Sequence, residues 1–156
     1  MPDFQSKRIT AKAIGGVKLG MTPTQVASLW GWSGGRDYSM DRPCAASASQ
    51  GGSWECQWRK SPTTKAWVHF SSSERADYIG IAGSRTSRPG QLRTSEKLGL
   101  GTRTRTLFSK PGCQSSPAGL GGPVPGVGVV YLCGGIRYHG SRSTGRTIAV
   151  SIGRPG

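Results

Sequence analysis

The sequence has few hydrophobic residues from which to build a core. They make up 34% of the 156 residues, against roughly 45–50% in typical globular domains on a count that also includes glycine. A chain of this length forms one domain or two very small ones, and the core of either is modest. Since 25 residues are glycine and 10 are proline, hydrophobic burial alone is a weak basis for a stable fold.

Groups that perform acid–base chemistry are also scarce. The chain has seven acidic residues and two histidines, His69 and His139, whereas catalysis usually needs a base placed against an acid or a nucleophile. Each histidine stands alone on a predicted strand and is interpreted as a packing or surface residue. The Gly-rich stretch 119–123 is not followed by the Lys-Ser/Thr of a phosphate-binding loop. We therefore predict no catalytic residues, no cofactor and no enzymatic activity.

Four cysteines supply a constraint other than burial. A disulfide removes conformations from the unfolded chain and typically contributes about 2–4 kcal/mol. Cys44 and Cys56 lie in the first half of the chain, and Cys113 and Cys133 lie in the second. This spacing favours pairing within each half over the other two connectivities. Because there is no Cys-x-x-Cys pair and no histidine at zinc-finger spacing, no metal site is predicted.

Long hydrophobic runs are absent. No stretch approaches the ~18 apolar residues that a membrane-spanning helix needs, so no membrane span is predicted. Disulfides indicate an oxidising compartment, yet residues Met1–Phe4 contain no apolar run typical of a signal peptide. We interpret Met1 as an expression start and the chain as a mature secreted form.

The net charge of +14, with an isoelectric point near 10.6, is the strongest compositional signal. Such a charge attracts polyanions such as nucleic acid, an anionic cell-wall polymer or an acidic protein. The 21 lysines and arginines are spread along the chain without a run longer than two. A solvated basic surface that aids solubility therefore explains the charge at least as well as a dedicated nucleic-acid face.

A short motif occurs twice. Lys18-Leu19-Gly20-Met21 returns as Lys97-Leu98-Gly99-Leu100, 79 residues later, and each copy precedes a predicted helix. In the first helix Thr22 is the cap, Pro23 suits the first turn, Val26, Leu29 and Trp30 have helical spacing, and Gly31 ends the helix. The second helix, predicted within 101–109, is rich in threonine and arginine and is a weaker helix former.

Each predicted helix is followed by a loop with a cysteine and then by three predicted strands. The strands are predicted at 53–59, 65–71 and 78–82 in the first half, and at 127–133, 136–139 and 147–152 in the second, with a turn at 140–145. The predicted class is α+β, as two tandem helix-plus-sheet units. The boundaries are 1–12 for an N-terminal arm that is mobile or an extra helix, 13–85 for the first unit, 86–94 for a linker, and 95–156 for the second unit.

The Leu19-Gly20-Met21-Thr22 start, the helix with Gln25-Val26 and Leu29-Trp30-Gly31, and a close cysteine pair in each half resemble the secreted β-lactamase-inhibitor proteins of actinobacteria. The resemblance covers most of residues 9–153. It implies tandem units, each a helix-loop-helix on a four-stranded antiparallel sheet, with a concave sheet that binds a protein. The Gly-Met-Thr-x-x-Gln-Val motif alone is also similar to small outer-membrane assembly lipoproteins, and the cysteine spacing favours the inhibitors.

We predict a partner-binding surface on the strands, built from aromatic and basic side chains that suit interfaces. Its predicted residues are Trp54, Trp58, Arg59, Lys60, Lys65, Trp67, His69, Tyr131, Arg137 and His139. The resemblance implies a hairpin that inserts an acidic residue into a cationic enzyme pocket, but residues 59–65 contain no carboxylate, which places β-lactamase inhibition in doubt. The predicted partner is an unidentified protein, with enzymes among the candidates. The alternative is a polyanion, since aromatic and basic residues together also suit nucleic acid.

Overall fold

An antiparallel sheet of seven strands forms the centre of the protein. The computed structural model describes residues 8–30, 54–61, 64–83, 92–117 and 124–153. In chain order its elements are β1 (Ala13–Ile14), β2 (Val17–Lys18), α1 (Pro23–Trp30), β3 (Trp54–Ser61), β4 (Thr64–Phe70), β5 (Ala76–Ala82), α2 (Thr104–Phe108), β6 (Cys113–Pro117), β7 (Val127–Cys133), β8 (Ile136–Ser141) and β9 (Thr147–Gly153). The α+β class is confirmed in this sheet-rich form.

The strand order in the large sheet is β3-β4-β5-β9-β8-β7-β6, and every neighbouring pair is antiparallel. The strands of the first half therefore lie side by side, as do those of the second half. The last strand of each half forms the junction, where β5 pairs with β9 from Tyr78 opposite Gly153 to Ala82 opposite Ala149.

All six predicted strands are present. The prediction was wrong for Cys113, which begins the edge strand β6 instead of lying in a loop, and for the start of the 140–145 turn, because β8 continues to Ser141.

Helix α1 follows directly from its local sequence. The amide N–H of Gln25 donates to Thr22 Oγ1 (3.3 Å), and the amide N–H of Thr22 donates to Gln25 Oε1 (2.9 Å), so the two residues form a reciprocal capping box. Pro23 occupies the first helical position, where its missing N–H has no cost. Val26 and Trp30 are fully buried. Gly31, the predicted stop, lies outside the described residues.

Helix α2 is short, as its composition predicts. Arg103 precedes it without a side-chain cap, and the helix has only five residues. Leu107 enters the core, whereas the next residue, Phe108, is 75% exposed. The helix is therefore held mainly by one buried side chain, because its own sequence provides little helix stability.

The same hydrogen-bond pattern precedes both helices. The amide N–H of Gly20 donates to Ala76 O (2.7 Å), and that of Ala76 donates to Met21 O (2.8 Å). In the second half, Gly101 and Thr102 make the equivalent pair of bonds with Thr147, both at 2.8 Å. Gly20 and Gly101 both have positive φ, 92° and 86°. The hydrogen bonds thus match Gly20 with Gly101, whereas the sequence motif matches it with Gly99.

The core lies between the helices and one face of the sheet. Trp30 of α1 packs edge-on against Trp58 of β3, with ring centroids 5.3 Å apart. The Trp30 indole N–H donates to Gly15 O (3.0 Å), so its one polar group is satisfied. On the sheet side, one core row crosses all seven strands and consists of Cys56, Val68, Ile79, Ile152, Ile136, Cys133 and Cys113.

Segments predicted as arm and linker take part in this core where the structure describes them. Ile9 and Leu92 are buried at 1% and 0% exposure. The amide N–H of Ile9 donates to Arg93 O (2.8 Å), which ties residues 8–12 to residues 92–94. Within residues 8–12, Ile9 is the buried residue, and the segment forms isolated bridges and bends instead of a helix. The small β1–β2 hairpin, which was not predicted, turns at Gly15 and Gly16, both with positive φ, as a two-residue hairpin requires.

A disulfide joins Cys113 and Cys133 across β6 and β7, and this predicted pairing is confirmed. The two residues are direct cross-strand partners in the sheet. Cys56 is also in disulfide form and is fully buried on β3. Cys44, its predicted partner, lies outside the described residues.

Candidate functional site

The face of the large sheet that points away from α1 and α2 is the candidate site. We call it the open face, because neither described helix packs against it, although its central residues Trp67, Ala149 and Ser151 are buried. One row across all seven strands consists of Gln57, Trp67, Gly80, Ser151, Arg137, Leu132 and Gln114. A second row, from β4 to β6, consists of Lys65, Ala82, Ala149, His139, Val130 and Ser116. Side chains on this face are mostly polar or aromatic, in contrast to the aliphatic core face.

Two aromatic rings with a cation beside each form the centre of the open face. Trp67 and Tyr78 stack with their centroids 6.5 Å apart and their planes 26° from parallel. The Arg137 guanidinium carbon lies 5.7 Å from the Tyr78 centroid, and Lys65 Nζ lies 5.9 Å from the Trp67 centroid. Cations at this distance are attracted to the negative face of a ring. The cluster therefore places two positive charges beside the aromatic rings.

Gly80 is the reason that Trp67 can lie flat. The two residues are direct partners on β4 and β5. A Cβ atom at residue 80 would lie 2.3 Å from the Trp67 ring, closer than any real contact. The indole therefore covers a strip of bare backbone and is itself only 3% exposed. Its conformation is fixed before any partner arrives.

His69 and Asp77 form an ion pair or strong hydrogen bond at the same face, with 2.6 Å between Nδ1 and Oδ1. The pair exists because of a bulge. His69 lies opposite Tyr78 and Phe70 opposite Ala76, so Asp77 is the extra residue on β5. A bulge of this kind redirects a side chain. Both side chains are about one-fifth exposed, so the pair is accessible to a partner.

His139 lies at the matching bulge of the second half, but in a different environment. His139 pairs with Ala149 and Gly140 with Thr147, which leaves Ile148 where the first half has Asp77. His139 Nε2 is 2.9 Å from Ser151 Oγ, and Nδ1 has no hydrogen-bond partner among the described residues. Burial, and secondarily the charge of Arg137, lower the pKa of His139 to about 4. The imidazole is therefore neutral at pH 7.

The His139–Ser151 pair has the contact of a base and a nucleophile, but its surroundings favour a structural role. Ser151 is fully buried and His139 is 5% exposed, so a substrate has no path to the hydroxyl in this conformation. A histidine with a pKa of about 4 is also a weak base at neutral pH. The one Gly-x-Ser-x-Gly match in the sequence, 31–35, lies outside the described residues.

The structure separates the predicted binding residues into three groups. Lys65, Trp67, His69, Arg137 and His139 lie on the open face. Trp58 and Tyr131 lie on the core face and are 3% and 7% exposed. On the open face Trp67 and His139 are equally buried, at 3% and 5%, so none of these four side chains presents a surface to a partner. Trp58 alternates onto the side that α1 covers, and Tyr131 does the same on β7. The side chains of Trp54, Arg59 and Lys60 lie outside the described residues.

Sequence reasoning missed three residues of the open face. Tyr78 and Asp77 come together with Trp67 and His69 only through the β4–β5 pairing and its bulge. Leu132, on β7, is 43% exposed and lies directly beside Arg137. Leu132 could have been found from its parity, because it alternates with the core residues Tyr131 and Cys133.

Two cavities lined by described residues lie outside the open-face rows. One of about 460 Å³ contains the Lys110–Glu96 ion pair and Tyr138. Burial raises the pKa of Tyr138 to about 12, against the opposing effect of a hydrogen bond from Thr94, so its phenol stays protonated at neutral pH. The other cavity, of about 420 Å³, is lined by three arginines, Arg103, Arg105 and Arg146.

Within the described parts of the chain, no three His, Cys, Asp or Glu side chains come together as metal ligands do. No helix in those same parts has the length and hydropathy to cross a membrane. Comparison with protein families, curated proteins and solved structures gives no match to this chain.

Proposed function

We propose that the protein is a secreted, non-enzymatic binding protein of the inhibitor-like kind, which uses the open face of its sheet and the β3–β4 hairpin to bind another protein. The proposal includes two tandem units similar to those of the β-lactamase-inhibitor proteins. It also includes an open face that is concave toward the partner.

Recurring local geometry supports the tandem units. Gly20 and Gly101 make the same backbone hydrogen bonds three residues before their helices. His69 and His139 both lie beside a bulge between the last two strands of their halves. Two independent features at equivalent places in one fold are expected after duplication of a single unit.

The preformed cluster on the open face is the observation on which the binding proposal depends. Trp67 and Tyr78 are locked by stacking and by Gly80, and Lys65 and Arg137 lie over them. The two rings are only 3% and 7% exposed, so they form a rigid base, and the part-exposed Lys65 and Arg137 beside them are the groups that a partner can contact. A rigid base limits the conformational entropy that is lost on binding. The part-exposed Lys65, His69 and Arg137 beside exposed Leu132 provide both polar and apolar contacts, as protein interfaces do.

The charge of the chain favours an acidic partner. The net charge is +14, and two of the cluster residues, Lys65 and Arg137, are cationic. Opposite charge on the partner would accelerate encounter and select against basic proteins. The absence of a carboxylate from residues 59–65 makes the cationic pocket of a β-lactamase a poor match, so we propose an acidic surface as the target.

Affinity capture with matched variants tests this proposal. The wild-type protein is immobilised and exposed to secreted proteins of its source at about 0.15 M salt, and bound proteins are identified by mass spectrometry. The double variant Leu132→Asp with Lys65→Glu changes two residues of the open face. It replaces an apolar side chain by an acidic one and reverses one positive charge. We expect this double variant to lose a partner that the wild type retains, by roughly tenfold or more in affinity.

Phe108→Asp is the control, because Phe108 is the most exposed large hydrophobic residue among the described residues and lies on α2, away from the open face. It should retain the partner. If the open-face variant captures the same protein as the wild type, or if Phe108→Asp loses it equally, the open face is not the binding surface.

A second candidate function, binding of a polyanion, is favoured by the arginine-lined cavity and by the overall charge. It predicts an affinity for single-stranded nucleic acid or anionic cell-wall polymer that falls steeply with salt, because counterions are released on binding. Titration of a labelled oligonucleotide at increasing salt measures the slope. A protein complex that persists at physiological salt, with no oligonucleotide binding, excludes this candidate.

A further inference from the structure

Three arginines surround a cavity at the start of α2 and the turn before β9. The cavity has a volume of about 420 Å³ and is lined by Arg103, Thr104, Arg105, Thr144, Gly145 and Arg146. This volume falls within the range of roughly 300–1,000 Å³ of small-molecule sites. None of the lining residues is acidic, and none belongs to the open-face rows.

Backbone pairing brings Arg103 and Arg146 together, and Arg105 follows two residues after Arg103 on α2. Arg103 and Arg146 face each other in an antiparallel bridge, and the amide N–H of Thr104 donates to Gly145 O (2.9 Å). Like charges directly opposite each other across a strand pair destabilise the pairing. A bound anion would turn this repulsion into attraction.

Arg146 is held in place by the fold. Its Nη1 donates to Gly101 O (3.0 Å), and the side chain is half-buried. A guanidinium has five N–H donors and stays charged at any physiological pH, so Arg146 keeps donors for a ligand. The two salt bridges among the described residues are His69–Asp77 and Lys110–Glu96, and neither uses one of the three arginines.

We propose that this cavity binds a phosphate-bearing anion with at least two negative charges, such as inorganic pyrophosphate. The planar guanidinium fork matches pairs of phosphate oxygens, so three arginines that line one cavity can offer several such pairs of donors to a condensed phosphate. Thr144 Oγ1 accepts a bond from the Arg146 amide N–H (3.3 Å), which leaves its own hydrogen to donate. The site is separate from the open face, so its test does not depend on the proposed protein partner.

Calorimetric titration of the full chain with sodium pyrophosphate at about 0.15 M salt tests the proposal. We expect saturable binding of one pyrophosphate per chain. Arg103→Gln with Arg105→Gln removes two exposed cations and leaves the Arg146–Gly101 contact intact. This variant should bind roughly tenfold or more weakly, because each lost charge-assisted hydrogen bond is a strong one, and its melting temperature without ligand should match that of the wild type.

Lys12→Gln with Arg142→Gln is the matched control, since it removes the same charge from two exposed residues that do not line the cavity. It should bind pyrophosphate as the wild type does. Absence of saturable binding to the wild type, or an equal loss in the control variant, overturns the proposal, because either result leaves only the general positive charge.

A competition experiment distinguishes two natural sources of the bound phosphate, a phosphodiester polymer and a free condensed or esterified phosphate. A single-stranded oligonucleotide that displaces pyrophosphate from the wild type identifies a phosphodiester polymer as the natural source. An oligonucleotide that binds without displacing pyrophosphate identifies a free condensed or esterified phosphate instead. Both results support the site, whereas the titration above decides whether it exists.

Discussion

His139 shows how one residue acquires a property that its sequence neighbours do not give it. The side chain is buried near Arg137 and hydrogen-bonded to Ser151, and its pKa is about 4. In the unfolded chain a histidine has a pKa near 6.5. Between these values the unfolded chain takes up a proton that the folded chain excludes, so the contribution of His139 to stability is present above pH 6.5 and is lost as the pH falls toward 4.

The first prediction concerns this pH dependence. The free energy of unfolding should fall by about 2 kcal/mol between pH 7 and pH 5 through His139 alone. His139→Gln, which cannot titrate but can still bond to Ser151, should lose that part of the pH dependence. Urea unfolding of both proteins at the two pH values measures the difference. Equal pH dependence in the two proteins would show that His139 protonates as readily in the folded state as in the unfolded one.

Because Gly80 has no Cβ atom, the Trp67 ring can lie against the backbone at this position. A second prediction is that Gly80→Ala destabilises the protein by about 1–3 kcal/mol, because the new methyl group overlaps the indole and the ring must move. Urea unfolding measures the cost, and tryptophan fluorescence reports the displaced ring. In a Trp67→Leu background the same substitution should cost much less. An equal cost in both backgrounds would assign the effect to the backbone of β5 rather than to the ring.

At the scale of elements, the Cys113–Cys133 bridge secures an edge strand with little apolar surface. Strand β6 has the sequence Cys-Gln-Ser-Ser-Pro, and all but its first residue are exposed. It pairs with the sheet on one side only, through β7. Hydrophobic burial therefore contributes little to its position, and the cross-link between direct strand partners takes over that role.

A third prediction follows for this element. Replacing Cys113 and Cys133 together by serine should lower the free energy of unfolding by about 3 kcal/mol, the loop-closure value for a bridge of this span. Amide exchange should rise mainly in β6. Peptide mapping under non-reducing conditions should recover Cys113 linked to Cys133 in the wild-type protein. A double variant with unchanged stability, or a map that links the two halves crosswise, would contradict this assignment.

At the scale of the whole molecule, the β5–β9 pairing turns two sets of strands into one sheet. Ile79 and Ile81 of β5 and Val150 and Ile152 of β9 are all fully buried in one hydrophobic core. If the strands of one half unfolded, the apolar side chains of the adjoining central strand of the other half would be exposed to water. The two halves are therefore expected to unfold together.

The fourth prediction is a single calorimetric unfolding transition whose van't Hoff and calorimetric enthalpies agree. Amide exchange should be slowest in β5 and β9 and faster in β3 and β6, because the central strands open only with the whole sheet. Two separate transitions, or protection that is lower in β9 than in β6, would mean that the halves are stable independently of their junction.

Much of the local structure was predictable because it depends on neighbours in the chain. The Thr22–Gln25 capping box, Pro23 and the spacing of Val26 and Trp30 together determine α1. Alternation of side chains placed the six main strands, since one face of each had to be apolar. The close spacing of Cys113 and Cys133 favoured the bridge that is observed.

The tertiary structure decided which face of each strand packs against the helices and which residues of other strands lie beside it. Alternation identifies two faces but not the one that α1 covers, so Trp58 was predicted as an anchor and proved to be core. The Trp67–Tyr78 stack, the His69–Asp77 pair and the arginine-lined cavity all join residues from different elements. Such contacts depend on register, bulges and strand order, which long-range packing selects and local sequence leaves open.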